Sequence, residues 1–387
     1  MFKKASRTLV LFITIFIMCI HSATDTSFIS ASDESVENSS AQTALTLANA
    51  DSGRILSSVN GDVKMPCGTL AKIMTALIVA ESIESGELTP ATLVTASANA
   101  QGAGGAVIWL TAGEKMSVGD LLLSMMTGNA NDAAIALAER IAQSEENFVE
   151  MMNEKARALS MHNTHFANCT GLDADNSYST ANDIALLCCE LVKYEFLYDY
   201  MTPWLTYIRE GQTELVNFND LVKSLGGIIG IKASKTENSQ HCAAVAARRE
   251  GECYVAVCLN FADKDECLKS AKSLISTGFS AYKTVYPLID ATKLGDVSVK
   301  HGVQKSVSVN ADITPICIPN ADEELISAVV VLPEFVSAPV ETGQKLGTLA
   351  IYADDVPICE LDITAEYSVN KESFATAFIS LLETLLN

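Results

Sequence analysis

Residues 66–77 read PCGTLAKIMTAL, and the interpretation of the whole chain starts from this segment. Thr69 and Lys72 lie three residues apart where a helical pattern begins, so a helix places both side chains on one face. A lysine in that setting can be neutral and accept the proton of the hydroxyl, which then becomes a nucleophile for acyl transfer. The Thr-x-x-Lys spacing alone is common by chance. The residues around it give it weight.

Two later segments carry groups of matching chemistry. Residues 129–131 read Asn-Ala-Asn and open an Ala-rich helical pattern. Residues 230–234 read Gly-Ile-Lys-Ala-Ser, where the pattern changes from helical to alternating. Amide and ammonium groups of this kind can bind an anionic peptide. Neither segment is specific by itself, and the order of all three along the chain gives them their meaning.

These segments occur in a familiar order. Together with NTHFAN at 163–168, YSTA at 178–181 and APVETGQ at 338–344, they resemble the D-alanyl-D-alanine carboxypeptidases, which are low-molecular-weight penicillin-binding proteins. The resemblance implies a serine peptidase with Ser-x-x-Lys, Ser-x-Asn and Lys-Thr-Gly motifs. The catalytic residues that it implies are Thr69 at the nucleophile position, Lys72 as general base, Asn129 at the position of the second-motif serine, and Asn131. The substrate-binding residues that it implies are Lys232, Ala233 and Ser234.

All three motifs are altered, and each change has a physical consequence. The extra methyl of Thr69 restricts its side-chain torsion and crowds the path of attack. Asn129 cannot relay a proton as a hydroxyl can. Ala233 lacks the hydroxyl that, by resemblance, helps to hold the substrate carboxylate, and Ser234 adds a side chain where glycine lets substrate approach. An alternative second motif at 127–129 requires a two-residue shift in a segment that aligns without gaps, and it is rejected.

The resemblance implies two functions from different classes. The first is removal of the terminal D-Ala from peptidoglycan stem pentapeptides through an acyl-enzyme, with β-lactams as further ligands. The second is a catalytically degenerate homologue that binds cell-wall peptide or a partner protein without turnover. A β-lactamase shares the superfamily, but the carboxypeptidase-like C-terminal unit disfavours it.

The expected fold is α+β. A hairpin pattern at 44–59 and paired alternating runs at 242–261, with helical patterns between them, predict an antiparallel sheet flanked by helices, as in penicillin-binding and β-lactamase-like domains. Short runs separated by Pro, Gly and Asp turns then predict a small β-sandwich. The predicted organisation is a signal peptide or N-terminal anchor at 1–23, a disordered linker at 24–42, a carboxypeptidase-like domain at 43–288, a β-sandwich at 289–368 and an amphipathic helix at 369–387.

Composition excludes some classes of function. A net charge of −21 is unsuited to nucleic acid, which needs clustered basic residues. Lys3, Lys4 and Arg7 precede an apolar run at 9–20, which predicts export to the outer face of the membrane or the cell wall. The C-terminal helix leaves two interpretations open, peripheral contact with the membrane or docking on the sandwich.

No cofactor or metal is expected. His162 and His165 are three residues apart, but no second ligand pair has a matching spacing. The eleven cysteines show no regular framework and are interpreted mainly as buried thiols. Cys67 lies two residues before Thr69 and is a conceivable replacement nucleophile, but it has no evident base, so a packed thiol is the preferred interpretation.

Overall fold

The structure is a computed structural model, and it describes residues 42–285, 294–311, 315–320, 326–353 and 356–373. Several predicted features lie outside these residues, namely the signal segment 1–23, the linker apart from Gln42, the domain boundary at 288 and residues 374–387 of the terminal helix. The domain boundaries therefore stay predictions.

Strands and helices alternate irregularly as far as residue 281, and among the described residues after it only strands follow. The helices are α1 (Lys72–Glu84), α2 (Ala98–Gln101), α3 (Val118–Met126), α4 (Asn131–Ala142), α5 (Glu145–Ala158), α6 (Ala181–Leu191), α7 (Tyr198–Met201) and α8 (Lys264–Ala281). The first strands are β1 (Ala44–Asn49), β2 (Arg54–Val59), β3 (Leu93–Thr95), β4 (Lys115–Ser117), β5 (Leu205–Ile208), β6 (Thr213–Val216), β7 (Ile228–Thr236), β8 (Gln240–Arg249) and β9 (Glu252–Phe261). The later strands are β10 (Tyr282–Val285), β11 (Asp296–Lys300), β12 (Ser306–Ala311), β13 (Ile316–Pro319), β14 (Ile326–Val331), β15 (Phe335–Ser337), β16 (Lys345–Ala353) and β17 (Val356–Ala365).

The central sheet is antiparallel, with the strand order β2-β1-β9-β8-β7. Its middle strands β8 and β9 are apolar on both faces because helices cover both faces of the sheet. One face packs against α1, α3, α4 and α6 in the larger core, and the other packs against α8. This arrangement confirms the predicted sheet flanked by helices. It leaves β7 at one edge of the sheet.

Local signals in the sequence correctly placed several element boundaries. The turn at 51–53 joins β1 to β2, and Arg249–Gly251 joins β8 to β9. Ser117 accepts a hydrogen bond from the backbone N–H of Asp120 and caps α3, while Thr180 caps α6 in the same way through Asp183. Thr180 followed three residues later by Asp183 predicts a capping box, but the carboxylate of Asp183 does not close it. It accepts hydrogen bonds from Asn163 N and Thr164 Oγ1 instead.

Helical periodicity predicts a helix from Leu70 to Glu84, and the observed helix begins at Lys72. Residues Gly68–Ala71 form a 3₁₀ turn that leads into it. Gly68 has a φ of 53°, so the chain enters the helix through a left-handed residue and a tightened first turn. Thr69 therefore lies on this turn rather than on the helix.

The C-terminal unit has its own apolar core. Its six-stranded sheet has the order β14-β16-β17-β12-β11-β15, and the β10–β13 ribbon contributes Ile316 and Ile318 to the same core. This ribbon also contacts the first domain, since Arg54 Nη1 donates a hydrogen bond to Cys317 O at 2.8 Å. A C-terminal β unit after the sheet-and-helix domain confirms the predicted order. Within the described ranges, no helix is long and apolar enough to span a bilayer.

The close approach of Gly171 to the 3₁₀ turn can be tested. A Cβ at Gly171 would lie 2.1 Å from Gly68 O, whereas a Cβ at Gly86 would meet no atom within 4 Å. Both glycines are left-handed, with φ of 74° and 81°, so alanine costs each about 1–2 kcal/mol of backbone strain. Steric overlap adds roughly 1–3 kcal/mol only at Gly171. In urea unfolding, Gly171→Ala should be less stable than Gly86→Ala by that difference. Equal losses would show that the two segments do not pack as described.

Candidate active site

The 3₁₀ turn holds Thr69 next to β7, the edge strand of the central sheet. Thr69 is buried, with 7% of its surface exposed. A Cβ at Gly68 would lie 2.4 Å from Ser239 Oγ, so only glycine allows the turn to pack this closely beside the end of β7. The turn thereby fixes the position of the Thr69 hydroxyl.

Lys72 lies one turn further on and is fully buried. Its Nζ donates hydrogen bonds to Asn131 Oδ1 at 2.5 Å and to Thr170 O at 2.6 Å. Burial lowers the pKa of Lys72 from 10.5 to about 7, although Cys169 and Asp132 act in the opposite direction. A lysine with this pKa is partly neutral near pH 7, as a general base must be.

The turn at 168–171 presents the carbonyl that Lys72 needs. Asn168 Oδ1 accepts hydrogen bonds from Thr170 N at 3.2 Å and Gly171 N at 2.7 Å. These bonds fix the backbone so that Thr170 O faces the ammonium. Asn168 belongs to the NTHFAN segment that carries the family resemblance, but the sequence alone gave it no role.

Asn129 contacts the nucleophile position directly. The Thr69 hydroxyl donates a hydrogen bond to Asn129 Oδ1 at 3.0 Å. Asn129 has a φ of 63°, a conformation that asparagine tolerates better than most residues. Thr127, the serine equivalent in the rejected alternative motif, instead donates its hydroxyl to Tyr200 O at 3.0 Å. An amide oxygen is not a base, so in this geometry the hydroxyl proton of Thr69 points to a group that cannot remove it.

The start of α4 links the site to a neighbouring loop. Asn131 Nδ2 donates a hydrogen bond to Gly104 O at 2.7 Å, while Asn131 Oδ1 accepts a hydrogen bond from Lys72 Nζ. Asp132 accepts hydrogen bonds from Ile108 N at 3.1 Å and Leu110 N at 3.0 Å. This loop-holding role of Asp132 was not predicted. The signal available in the sequence was only an acidic residue in the first turn of a helix.

Lys232 extends from β7 to the C-terminal end of α3. It is 1% exposed, and its Nζ donates hydrogen bonds to Met125 O at 2.8 Å and Met126 O at 3.1 Å. Free carbonyls at a helix C-terminus suit a cation. Burial and the nearby charge of Lys72 hold the pKa of Lys232 well below its usual range. At neutral pH the two lysines therefore carry less positive charge than two ordinary lysines would.

The other third-motif residues have different surroundings. Alternation along β7 places Ala233 on the opposite face from Lys232, where Ala233 packs in the core with α8. Ser234 is buried, and its Oγ has no hydrogen-bond partner among the described residues. Both residues line a cavity of about 160 Å³ at this edge of the sheet. At these two positions the third motif therefore provides a methyl group and a buried hydroxyl, whereas Lys232 provides an amino group.

Cys67 lies in the core, where burial raises the pKa of its thiol to about 12. At neutral pH such a thiol is protonated and unreactive, which supports its interpretation as a packed thiol. The described cysteines are all unpaired, and all are buried except the half-buried Cys359. This confirms the interpretation of most cysteines as buried thiols.

Family models match most of the chain. The model of D-alanyl-D-alanine carboxypeptidase matches residues 30–263, and that of the penicillin-binding protein 5 C-terminal domain matches residues 282–371. The D-alanyl-D-alanine carboxypeptidase DacF of Bacillus subtilis is 32% identical over 85% of this chain and 86% of its own length. DacC of Escherichia coli is 28% identical over 82% of each.

Solved structures show the same fold. Penicillin-binding protein 5 of Haemophilus influenzae superimposes with a TM-score of 0.76 over 85% of this chain and 97% of its own, at 24% identity. Penicillin-binding protein D2 of Listeria monocytogenes, in its ampicillin-bound form, has a TM-score of 0.56 and 28% identity over 61% of this chain and 97% of its own. The sequence motifs, the two-part fold and these matches agree, and the chain belongs to the D-alanyl-D-alanine carboxypeptidase family.

Proposed function

We propose that this chain is a slow D-Ala-D-Ala carboxypeptidase that acts on peptidoglycan stem pentapeptides with Thr69 as its nucleophile. The observation that carries the proposal is the buried Lys72, whose pKa of about 7 suits a base and whose partners hold it one helical turn from Thr69. Family relatives named as D-alanyl-D-alanine carboxypeptidases support the reaction and its substrate.

In the proposed reaction, Thr69 Oγ1 attacks the carbonyl carbon of the penultimate D-Ala, and its proton passes to the neutral Lys72. The peptide bond then breaks, and the leaving nitrogen takes a proton from the Lys72 ammonium. Free D-Ala departs and an ester joins the peptide to Thr69. Water attacks this ester with Lys72 again accepting a proton, which releases the shortened peptide and restores the hydroxyl.

Two features make this reaction slow. The Thr69 hydroxyl must leave Asn129 Oδ1 before Lys72 can accept its proton. No hydroxyl stands at the position of Asn129 to pass a proton to the leaving amine. Changes in residues that act as a unit cost about 10³-fold or more in rate, even singly.

One observation favours the second candidate function, peptide or partner binding without turnover. The hydrogen bond from Thr69 to Asn129 occupies the nucleophile with an acceptor that is not a base. Lys232 and Asn131 remain in the site and can bind an anionic peptide. The two candidates differ in whether a covalent adduct forms.

We further propose that the protein works on the outer face of the membrane, from the basic residues and apolar run near the N-terminus. Peripheral contact of the C-terminal segment with the membrane stays a prediction. Residues 1–42 fused to a reporter that is active only outside the cytoplasm should give a signal. A cytoplasmic, silent fusion would contradict export.

The acyl-enzyme is tested by mass spectrometry of the intact protein after incubation with penicillin. Wild type should acquire one adduct at Thr69, about 10³-fold more slowly than a variant with restored motifs. That variant carries Thr69→Ser, Asn129→Ser, Ala233→Thr and Ser234→Gly. Thr69→Ser alone should recover little, because the proton relay stays absent.

The matched control adds Lys72→Ala to the restored variant and should abolish labelling. If the restored variant labels but wild type never does, even after days, the carboxypeptidase proposal fails and the binding function stands. Rapid labelling of wild type would show instead that Asn129 does not hinder the nucleophile.

The depressed pKa of Lys72 can be tested without turnover. Between pH 7 and 10.5 the unfolded chain binds a proton at Lys72 that the folded chain lacks, so stability rises with pH across this range. The free energy of unfolding of wild type minus that of Lys72→Met should increase from pH 7 to 9, approaching about 1.4 kcal/mol per pH unit. Urea unfolding at several pH values measures this difference. A constant difference would show that Lys72 keeps an ordinary pKa.

A further inference from the structure

We infer that Trp109 binds the glycan strand of peptidoglycan, with its exposed indole stacked on the C–H face of a sugar ring beside the stem peptide. The ligand class is a β-1,4-linked polymer of N-acetylated amino sugars. The inference rests on the proposed function, because the stem peptide that enters the site is attached to this polymer. It goes beyond that function by assigning a second binding site, for the carbohydrate part of the substrate.

The first argument is the exposure of Trp109. This residue is 78% exposed, whereas its neighbours Ile108 and Leu110 are each 2% exposed and belong to the larger core. Within the described residues, no cation and no other ring packs on the indole. An indole has a large apolar surface, and leaving that surface in water is unfavourable. The fold therefore directs this ring to solvent at a cost in stability, as a ligand contact would require.

The second argument is the backbone at Trp109. Its φ of 54° lies in the left-handed region, which a bulky residue rarely adopts. The Asp132 carboxylate accepts hydrogen bonds from the N–H groups of Ile108 and Leu110. Arg209 Nη1 donates a hydrogen bond to Ile108 O at 2.8 Å. Residues whose strained backbone is fixed by their surroundings are concentrated at active sites and ligand contacts. The indole is therefore held in position before a ligand binds.

The third argument is the distance between Trp109 and the reaction site. Asp132 holds the backbone on both sides of Trp109, and it directly follows Asn131, which accepts a hydrogen bond from the general base. Asn131 N also donates a hydrogen bond to Ala106 O at 2.7 Å, and the three residues from Ala106 to Trp109 span at most about 11 Å. The four stem residues that precede the cleaved bond span at most about 14 Å. A sugar at the start of the stem can therefore reach Trp109 while the cleaved bond lies in the site.

The fourth argument is the surface between Trp109 and Asn131. Gly104, Gly105 and Ala106 are exposed, and none of them carries a side chain larger than a methyl group. No side chain of this segment therefore obstructs a polymer that lies along it from the site to the indole.

The chemistry of a sugar ring fits a single exposed indole. The face of a pyranose carries C–H groups and its edge carries hydroxyl and N-acetyl groups, so a flat ring covers the face while the indole N–H donates to the edge. A protein partner needs about 800 Å² of surface on each side, with several apolar anchors. In residues 101–115, Trp109 is the only large apolar residue that is exposed. The surroundings of Trp109 therefore favour a sugar over a protein.

The test compares two ligands by calorimetry on the full chain. One is the pentapeptide L-Ala-γ-D-Glu-L-Lys-D-Ala-D-Ala, and the other is the same pentapeptide attached to the disaccharide of N-acetylglucosamine and N-acetylmuramic acid. Wild type should bind the second ligand about ten-fold more tightly, which corresponds to roughly 60 Å² of apolar surface removed from water. Trp109→Ala should bring the two dissociation constants to within about two-fold of each other, and Trp109→Phe should keep a preference of about three-fold.

Trp204→Ala is the matched control. Trp204 is the other tryptophan of the chain and is 41% exposed, but Lys223 Nζ already lies 3.5 Å from the centroid of its ring. It precedes β5 rather than lying on the segment that contacts Asn131, so the ten-fold preference should persist. Both rings are exposed, so urea unfolding should show that each variant folds.

Fluorescence separates a sugar from a membrane as the ligand. Trp204→Phe leaves Trp109 as the sole tryptophan, and its emission should change on addition of the peptide-free tetramer of β-1,4-linked N-acetylglucosamine. Vesicles of phosphatidylglycerol should have no effect. A response to vesicles alone would assign Trp109 to the membrane and overturn the inference.

The calorimetry distinguishes this inference from the proposed function. Equal binding of the two ligands by wild type, or an unchanged preference in Trp109→Ala, would overturn the glycan site, whereas the penicillin adduct at Thr69 would still support the carboxypeptidase. A glycan preference that depends on Trp109, in a wild-type chain that never forms the adduct, would support the glycan site and overturn the proposed reaction.

Discussion

The burial of the Lys72 ammonium is the constraint on which the rest of the site depends. A charge with no exposed surface needs hydrogen-bond acceptors, and here a side-chain amide and a backbone carbonyl meet it at 2.5 and 2.6 Å. The amide comes from the first residue of α4 and the carbonyl from the turn at 168–171. Three distant segments must therefore converge on one nitrogen. Their convergence brings Thr69 and Asn129 together as well.

This arrangement lowers the stability of the fold and keeps groups that a function requires. Lys232 is buried near Lys72, and their mutual repulsion adds to the cost of desolvation. Both lysines consequently release their protons more easily than free lysine does. Replacing such groups by apolar residues often stabilises a protein, so their presence indicates a site kept for chemistry or for ligand binding. The altered motifs surround this retained pair of cations.

The residues that depart from the family motifs have different surroundings in the fold. Asn129 accepts a hydrogen bond from the Thr69 hydroxyl, and in the proposed mechanism this bond slows acylation. Ala233 instead packs in the core with α8, and the buried hydroxyl of Ser234 has no hydrogen-bond partner among the described residues.

The sequence by itself determined the family, the β1–β2 and β8–β9 hairpins, and the caps of α3 and α6, because short-range patterns and turn residues specify these features. It also predicted which residues form the three motifs. Only the tertiary structure decided which of them meet. The bond from Thr69 to Asn129, the Thr170 carbonyl at Lys72, the role of Asp132 and the cavity at Ala233 all join residues distant in sequence or on opposite faces of a strand. Neither periodicity nor motif spacing encodes such distances, since they arise only when separate elements pack around a common core.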